Sequence, residues 1–336
     1  MDVTIIIINY KSAKLVMDCI DSIYQQTHQY QFEIILVDND SQDDCKEQVL
    51  VKYPAVRWLQ TGYNAGFARA NNAAISIANG EYILLLNADT IILESAIDKS
   101  ISLMKATPDA VGCGVQLLNT DGSTQISGAH FIKGGLNALL PLPYLGSLVR
   151  YAGYKLKSTI PSVQDVQQDT AVDWVVGAYM MVKKEVLKKS GLMDEDFFMY
   201  SEEIEWCARL LKQGKLILFA EPKVIHLKGG TSSDYYSTTE NENGENLWNK
   251  KARQIIVSNM LRIRKQYGVG YFLLINGLYV FDVAVFFFCL LLSKLFTSGK
   301  GRYSWEIFFG FTNNILILQR YFIKILFNQK HFYKVS

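Results

Sequence analysis

The stretch EYILLLNADT, residues 81–90, decides the fold class, because its apolar run is typical of a buried β-strand that stops at a carboxylate. In a parallel sheet the ligand crevice lies outside the carboxyl ends of the strands. Asp89 is therefore expected at the rim of such a crevice. An acidic side chain at that position can hold a hard divalent cation against a phosphate group. The stretch predicts a site for an activated phosphate ester.

Two more apolar runs end in polar residues in the same way. Residues 3–8 lead into Asn9, and residues 32–37 lead into Asp38. Strands that are this continuously apolar are buried on both faces, and helical patterns separate them. The N-terminal half is therefore predicted to be an α/β layer with a parallel sheet, crossover helices and a nucleotide site where the strands end.

A turn rich in Gly and Asn, residues 61–66, opens an Ala-rich helical pattern. Free N–H groups at a helix start suit a diphosphate, which makes Asn64 and Gly66 candidates for phosphate binding. The alternative is an ordinary loop in which Gly66 is needed only for its backbone conformation. The chain contains neither a Walker loop nor a Rossmann fingerprint, because Gly-Lys-Ser/Thr and Gly-x-Gly-x-x-Gly are absent.

A second chemical cluster lies at residues 193–210, MDEDFFMYSEEIEWCARL, where acidic residues crowd the start of a helical pattern. Ser201 can cap that helix, and the helix dipole stabilises Glu residues in its first turn, so one or two acids need no catalytic role. The apolar and aromatic residues before Ser201 are nevertheless expected to shield a carboxylate and raise its basicity. A general base for a hydroxyl group needs that setting.

Together and in this order, the motifs resemble those of inverting family 2 glycosyltransferases, particularly the bacterial rhamnosyltransferase-like branch. The resemblance covers about residues 1–235 and rests on INY (8–10), VDNDS (37–41), NAGFA (64–68), NAD (87–89), GA (177–178), FFMYSEEIE (197–205) and His226. It implies an α/β fold of the GT-A type, the fold of nucleotide-diphospho-sugar transferases. It also implies a metal-dependent, inverting enzyme that moves a hexosyl or deoxyhexosyl group.

The same resemblance implies roles for individual residues. Glu203 falls at the position of the catalytic base, although the family pattern is more often Glu-Asp-x-Asp than the Glu-Glu-Ile-Glu found here. Asp89 is expected to bind the metal, Mg²⁺ or Mn²⁺, and His226 to complete that site. Without the resemblance, a lone histidine at a strand end is more often a packed residue than a ligand. Donor binding is implied for Asn9, Asp38, Asn64, Gly66, Asn87 and Gly177, with Asp38 reading the nucleobase.

The implied reaction is transfer of a sugar, with rhamnose among the candidates, from a nucleoside-diphosphate donor of the UDP or dTDP type. The implied acceptor is lipid-linked or a growing surface polysaccharide. The competing interpretation is a non-catalytic nucleotide-sugar-binding membrane protein. In that case the Glu residues at positions 203 and 205 indicate that catalytic activity has been lost.

Charge is divided unevenly along the chain. Residues 250–336 contain 13 Lys and Arg against two acidic residues, a balance of +11, which leaves −9 for residues 1–249 of a chain whose net charge is +2. The basic residues flank apolar stretches and do not form a polar stripe. The sequence therefore favours an anionic membrane as a partner over nucleic acid.

Two long apolar patterns lie in this basic part. Residues 269–292 are long enough to span a bilayer. Asn276 and Asp282 are costly in hydrocarbon, so a spanning helix, a half-inserted helix and a buried core helix are all left open. Residues 305–327 predict an amphipathic interfacial helix. Its apolar face contains Phe308, Phe311, Ile315, Leu318, Phe322 and Leu326, away from Glu306, Asn313, Arg320 and Lys324.

The sequence thus predicts four parts. Residues 1–118 form a donor-nucleotide half, 119–235 an acceptor-binding and catalytic half, 236–268 a helical connector and 269–336 membrane-associated helices. The five cysteines lack paired or metal-like spacing, and the N-terminus lacks a signal-peptide pattern, which together favour a reducing compartment. The expected location is the cell inner membrane, with the catalytic part in the cytoplasm.

Overall fold

The computed structural model describes residues 1–131, 138–155, 162–227, 246–296 and 303–335. The strands are β1 Val3–Asn9, β2 Phe32–Asp38, β3 Arg57–Gln60, β4 Tyr82–Asn87, β5 Thr90–Ile92, β6 Ala110–Leu118, β7 Gly128–Ala129, β8 Ser162–Val163, β9 Thr170–Val172, β10 Trp174–Val175, β11 Tyr179–Lys183 and β12 Lys215–His226. The helices are α1 Ala13–Gln26, α2 Cys45–Lys52, α3 Gly66–Ile77, α4 Ala96–Ala106, α5 Leu145–Lys155, α6 Leu187–Ser190, α7 Glu202–Leu210, α8 Lys250–Tyr267, α9 Val269–Phe296 and α10 Trp305–Leu326. Of the predicted connector, residues 236–268, residues 250–267 form α8 and residues 236–245 lie outside the described residues.

The strands form a mixed sheet. Within the described residues, nine strands share this sheet in the order β3-β2-β1-β4-β11-β6-β12-β5, and β9 pairs with β12. The parallel pairing of β1 with β2 and β4 confirms what the three apolar runs predicted. The sheet as a whole is mixed because β11 runs antiparallel between β4 and β6. A smaller sheet contains β10, β7 and β8.

Both faces of the main sheet are covered, which explains the continuous apolar runs. Successive side chains of a strand point to opposite faces. Ile5 and Ile7 pack in one hydrophobic cluster with α1 and α4, whereas Ile6 packs in a second cluster with α3. All three side chains are at most 1% exposed. A strand buried in this way keeps no exposed polar face, so most of its polar residues appear near its ends.

The strand register brings the polar ends of the first strands to one edge. Asn9 is opposite Asp38 across β1 and β2, and Ile8 is opposite Asn87 across β1 and β4. Asp89 then lies between β4 and β5. This edge of the sheet carries the candidate site described below.

The chain divides into two compact units. Of the described residues, the sheet unit comprises 1–130, 162–195 and 202–227, and the helical unit comprises 131, 138–155, 196–201, 246–296 and 303–335. The two predicted halves that meet at residue 118 share one sheet. Residues 196–201, which the sequence placed in the catalytic half, belong to the helical unit.

The helical unit is built around three long helices, α8, α9 and α10. Their shared core contains Phe272, Tyr279, Phe286 and Phe311, each at most 1% exposed. Within the part of the chain that the structure describes, α9 alone is long and apolar enough to cross a membrane by length and composition.

The interfacial role predicted for the apolar face of α10 is wrong. Phe308, Phe311 and Leu318 from that face are at most 7% exposed, because α10 packs against α8 and α9. A different line of apolar residues is exposed instead. Phe309 and Leu316 have exposed fractions of 62% and 61%.

Candidate active site

Asp38 lies in a hydrogen-bonded pocket at the end of β2 and is 4% exposed. Its Oδ1 accepts from Asn9 Nδ2 at 3.0 Å. Its Oδ2 accepts from the Ser41 N–H at 3.2 Å and from Gln60 Nε2 at 2.7 Å. A carboxylate accepts about four hydrogen bonds, so these three fix its orientation and leave capacity for an N–H group of a ligand. The structure brings the predicted Asn9 and Asp38 together and adds Gln60, which no motif indicated.

The turn that opens α3 is tied to the end of β2 by Asn39. Asn39 Oδ1 accepts from the Ala65 N–H at 2.7 Å, and its Nδ2 donates to Asn64 Oδ1 at 3.2 Å. The Gly66 N–H donates to the same Asn64 oxygen at 3.1 Å. Gly66 has a φ of +72°, a conformation that favours glycine. The backbone N–H groups of Ala65 and Gly66 are therefore used within the protein, as in the ordinary-loop alternative.

Asp89 and His226 lie side by side. Thr90 of β5 is opposite His226 of β12, and the Leu227 N–H donates to the backbone oxygen of Asp89 at 2.9 Å. These contacts bring His226 Nε2 to 3.5 Å from Asp89 Oδ1. The two side chains are 15% and 6% exposed, respectively. Two residues that are 137 positions apart in the chain thus meet at the end of β4.

Gln125 orients the imidazole of His226. His226 Nδ1 is 3.2 Å from Gln125 Oε1, and Gln125 Nε2 donates to the backbone oxygen of His226 at 2.6 Å. Because Oε1 only accepts, this contact favours the tautomer with a proton on Nδ1 and leaves the Nε2 lone pair beside Asp89. Gln125 lies in a segment without a recognisable motif, so sequence reasoning missed it.

The Asp89–His226 pair fits a divalent cation that arrives with a nucleotide. Neighbouring ligands of a six-coordinate ion stand roughly 3 Å apart, close to the distance between Asp89 Oδ1 and His226 Nε2. Among the described residues, no group of three or more His, Cys, Asp or Glu side chains is placed to hold a metal. With two protein ligands, most of the coordination sphere is left for diphosphate oxygens and water.

Gly177 connects this end of the sheet to α7. The Asn87 N–H donates to the backbone oxygen of Ala178 at 3.0 Å. A Cβ placed on Gly177 would lie 3.7 Å from Phe67 Cζ and 3.8 Å from Glu203 Cγ. The predicted Asn87, Gly177 and Glu203 therefore form one continuous line in the sheet unit.

The three acids at the start of α7 have different surroundings. Glu205 is 8% exposed and receives three hydrogen bonds from the guanidinium of Arg209, the shortest at 2.7 Å. Glu202 is 3% exposed. Glu203 is half-buried and lies beside Gly177. Glu203 is therefore the most exposed of the three acids in this motif.

Two buried thiols near these residues are poor nucleophiles. Burial raises the pKa of Cys19, which is 3.7 Å from the backbone oxygen of Asn87, to about 12. Burial likewise raises the pKa of Cys207 in α7 to about 12. Since thiolates are the reactive species, carboxylate chemistry is favoured here over cysteine chemistry.

The segment before α7 has a constrained backbone. Tyr200 and Ser201 both adopt left-handed conformations, with φ of 70° and 67°. Such conformations cost roughly 1–3 kcal/mol each and persist only where the surroundings enforce them. Ser201 Oγ donates to Asn259 Oδ1 at 2.8 Å, and Ser258 Oγ donates to the backbone oxygen of Met199 at 2.7 Å. Helix α8 thus holds Met199 and Ser201, on either side of Tyr200.

The C-terminal residues hold an earlier part of the same segment, Asp196 and Phe197. Asp196 accepts from the Tyr333 N–H through its backbone oxygen at 2.9 Å and from the His331 N–H through Oδ1 at 3.1 Å. Its Oδ2 is 2.7 Å from Lys265 Nζ. Phe197 forms a bridge with Tyr333, and both side chains are fully buried. The aromatic residues predicted to shield the base are packed within the helical unit.

Comparisons with known proteins identify the family of the chain. A family model described as glycosyl transferase family 2 matches residues 4–191, more than half of the chain. An N-acetylglucosaminyl-diphospho-decaprenol L-rhamnosyltransferase of Mycobacterium tuberculosis is 27% identical over 210 residues, which cover 58% of this chain and 66% of the relative. The rhamnosyltransferase WbbL of Escherichia coli is 23% identical over 236 residues, which cover 68% of this chain and 85% of the relative. The chain thus spans just under two thirds of the mycobacterial protein.

A solved structure supports the fold. GalNAc-T7 with UDP, GalNAc and Mn²⁺ matches with a TM-score of 0.51 at 15% identity, covering 80% of this chain and 51% of that chain. At this identity the likeness shows the fold alone. That fold is the mixed α/β, GT-A-like architecture with a central sheet.

Proposed function

The chain belongs to glycosyl transferase family 2, and from this premise we propose that it transfers a sugar from a nucleoside-diphosphate donor to a lipid-linked or growing surface-polysaccharide acceptor. The observation that carries the proposal is the line of contacts from Asp89 and His226 through Asn87 and Gly177 to Glu203. One end of this line suits a metal–diphosphate group. The other end presents a carboxylate that a substrate can reach.

The proposed reaction is a single displacement with inversion at the anomeric carbon. Glu203 accepts the proton of the acceptor hydroxyl as that oxygen attacks the anomeric carbon. The bond from this carbon to the donor diphosphate breaks in the same step, and its electron pair leaves with the nucleoside diphosphate. A divalent cation held by Asp89 and His226 supplies charge neutralisation at the diphosphate when bound.

The donor is proposed to be of the UDP or dTDP type, with rhamnose as the leading sugar. A uracil or thymine ring carries one N–H donor, which matches the remaining acceptor capacity of Asp38 beside Asn9 and Gln60. The names of the mycobacterial and E. coli relatives support a rhamnosyl donor. Asn64 and Gly66 shape the turn beside this pocket.

The enzyme is proposed to work at the cytoplasmic face of the cell inner membrane. Its helical unit contains the long apolar helix α9, and the name of the mycobacterial relative includes a polyprenyl diphosphate. For an enzyme held at the membrane surface, the search for a lipid-linked acceptor is confined to the plane of the membrane.

The alternative of a non-catalytic binding protein relied on the unusual Glu residues at positions 203 and 205. Glu205 forms a close pair with Arg209, so its length serves that contact. Glu203 lies beside Gly177 through its Cβ and Cγ atoms and is more exposed than Glu202 and Glu205. Together with the family membership, these contacts favour the enzyme.

The proposed function is tested with a panel of UDP-, dTDP- and GDP-linked sugars, with release of the nucleoside diphosphate followed with and without a polyprenyl-diphosphate-linked acceptor. We expect acceptor-stimulated release with dTDP-rhamnose or a UDP sugar. Donor binding without release from any donor would support the non-catalytic alternative. Release of a sugar 1-phosphate would instead indicate nucleotidyl transfer.

The contacts of Asp196 predict that the C-terminal residues support turnover. Tyr333→Ala should lower kcat by at least about tenfold, because the variant loses a fully buried ring from the hydrophobic cluster that contains Phe197, in the segment leading to Glu203. Donor affinity should change by less than about twofold, since the proposed donor contacts lie in the sheet unit. Steady-state kinetics and donor calorimetry measure the two effects.

Tyr333→Phe is the matched control, because it keeps the ring and loses only the hydrogen bond from the hydroxyl to the backbone oxygen of Gln329. It should retain kcat within about twofold. Equal kcat values for Tyr333→Ala and Tyr333→Phe would show that this contact does not position the base.

A further inference from the structure

The helices α9 and α10 form an antiparallel hairpin along nearly their full length. The side-chain amides of Asn276 and Gln319 exchange hydrogen bonds, the shorter at 3.1 Å. On one side of this pair the rings of Phe272 and Phe322 are in contact, with centroids 5.4 Å apart. Towards the other end, the rings of Phe287 and Trp305 are 5.9 Å apart. As residue numbers rise along α9, those of their partners fall along α10.

Helix α8 runs alongside this hairpin. Arg253 Nε donates to Asn314 Oδ1, and Arg264 Nε donates to the backbone oxygen of Leu326, both at 2.9 Å. Two contacts 11 residues apart on α8 and 12 apart on α10 make these helices parallel neighbours. Helix α8 has 18 residues and is about 27 Å long, nearly the thickness of the hydrocarbon layer. Its cationic residues are Lys250, Lys251, Arg253, Arg262, Arg264 and Lys265.

If α9 spanned a bilayer, the part of α8 that packs beside the hairpin would therefore also lie within the bilayer. The contact between Arg253 and Asn314 places Arg253, with Lys250 and Lys251 one turn before it, beside the middle of α10. Cationic side chains at that depth of a membrane are costly, because lipid tails offer them neither water nor counter-ions. The register of the hairpin thus argues against a span, although the length and composition of α9 allow one.

The exposed residues of α9 form a stripe along one side. Leu274, Phe281, Phe288 and Leu295 recur every seven residues and are 55–67% exposed. This stripe is about 32 Å long. Asp282 on the other side is fully buried, and its Oδ1 accepts from the Leu145 N–H at the start of α5. Asp282, which made a membrane span doubtful from the sequence, therefore caps α5. The exposed apolar surface of α9 lies on one side of the helix.

The exposed stripe of α10 is mixed. Phe309, Leu316 and Ile323 are 56–62% exposed. Glu306, Asn313 and Arg320 alternate with them on the same helical line and are also exposed. In a spanning hairpin these polar groups would face lipid tails over about 21 Å. In a helix that lies at the level of the headgroups, they reach water.

Charge identifies what covers this surface. Residues 250–336 carry a net charge of +11. In α5, which Asp282 links to the hairpin, Leu148 and Tyr151 are exposed next to the exposed cation Arg150. Apolar stripes bordered by cations fit an anionic lipid surface.

We propose that the helical unit docks on one leaflet of an anionic membrane, with the α9–α10 hairpin lying in the plane of that leaflet, so that α9 does not cross the bilayer. This inference rests on the membrane association proposed above and is independent of the sugar that is transferred. It places both ends of α9 on the same side of the bilayer.

The side on which the link between α9 and α10 lies tests the proposal. Lys300→Cys and Asn328→Cys, before and after α10, are made in full-length protein that also carries Cys289→Ala; the other four cysteines are buried. The proteins are bound from outside to vesicles of phosphatidylcholine and phosphatidylglycerol and treated with a membrane-impermeant maleimide. An in-plane hairpin gives equal labelling of both positions before detergent, within about twofold. Protection of position 300 until detergent is added would show a span and overturn the proposal.

The exposed stripe is tested by Leu316→Glu, with Val51→Glu as the matched control. Both residues are exposed, at 61% and 86%, but Val51 lies in α2 of the sheet unit. Leu316→Glu should lower the vesicle-bound fraction at least about tenfold, and Val51→Glu should leave it unchanged. Equal binding of the two variants would overturn the proposal, as would wild-type dimers in vesicle-free solution that Leu316→Glu dissociates. Nucleoside-diphosphate release, measured on the same samples, tests the transferase proposal separately.

Discussion

Glu203→Gln is expected to lower kcat by at least about a hundredfold while the donor Kd changes by less than about twofold. An amide cannot accept the proton that leaves the acceptor hydroxyl during attack. Gln has the shape of Glu, and the half-buried side chain beside Gly177 keeps its packing. The lost interaction therefore acts in the transition state and not in donor binding. Nucleoside-diphosphate release gives kcat, and calorimetry gives the donor Kd.

Glu205→Gln is the matched control, because it makes the same chemical change two residues further along α7. Glu205 is held by Arg209, whose guanidinium also donates to the backbone oxygen of Ser190. Losing this charge should cost some stability but leave kcat within about fivefold. A Glu203→Gln variant with near-normal kcat, combined with a large loss in Glu205→Gln or Glu202→Gln, would assign the base to one of those acids.

The sheet edge that carries the site was largely predictable, because burial leaves a simple trace in the sequence. A strand covered on both faces is continuously apolar, so the first polar residue marks its end. This reasoning located Asn9, Asp38 and Asn87, and the parallel register then aligned them. The direction of β11 was not predictable, since five mostly apolar residues look the same in a parallel and an antiparallel strand.

The groups that orient the site residues were not predictable. Gln60 and Gln125 act through side-chain amides, which are common on every protein surface and have no characteristic spacing. Their roles depend on contacts between residues far apart in the chain, as when Gln125 reaches His226. Only the folded chain shows these pairs.

The C-terminal helices illustrate a different difficulty. The apolar period of residues 305–327 correctly indicated an amphipathic helix, but periodicity does not show whether an apolar face meets lipid or protein. In α10 that face packs in the helical unit, and a second, mixed stripe is exposed. Asp282 likewise appeared in the sequence as an acid that is costly in a membrane span. In the fold its carboxylate accepts a hydrogen bond from the Leu145 N–H, which comes from a distant part of the chain.

Asp89→Asn is expected to weaken Mn²⁺-dependent donor binding by about a hundredfold, because a neutral amide is a poor ligand for a hard cation. His226→Ala should produce a milder loss of about tenfold, since one carboxylate ligand is kept. Asn has the shape of Asp, and the backbone oxygen of Asp89 still accepts from the Leu227 N–H. Calorimetry with the donor in the presence and absence of Mn²⁺ measures the metal-dependent gain in affinity.

The metal-free binding of a nucleoside monophosphate serves as the control for Asp89→Asn. This ligand lacks the diphosphate and tests the pocket of Asn9 and Asp38 alone, so its affinity should be unchanged if the variant is folded. Loss of donor binding together with intact monophosphate binding would place the metal–diphosphate group at Asp89 and His226, which are 3.5 Å apart. If Mn²⁺ increases the donor affinity of Asp89→Asn as much as that of the wild type, this carboxylate is not the metal ligand. The line of contacts to Glu203 would then not begin at a metal site.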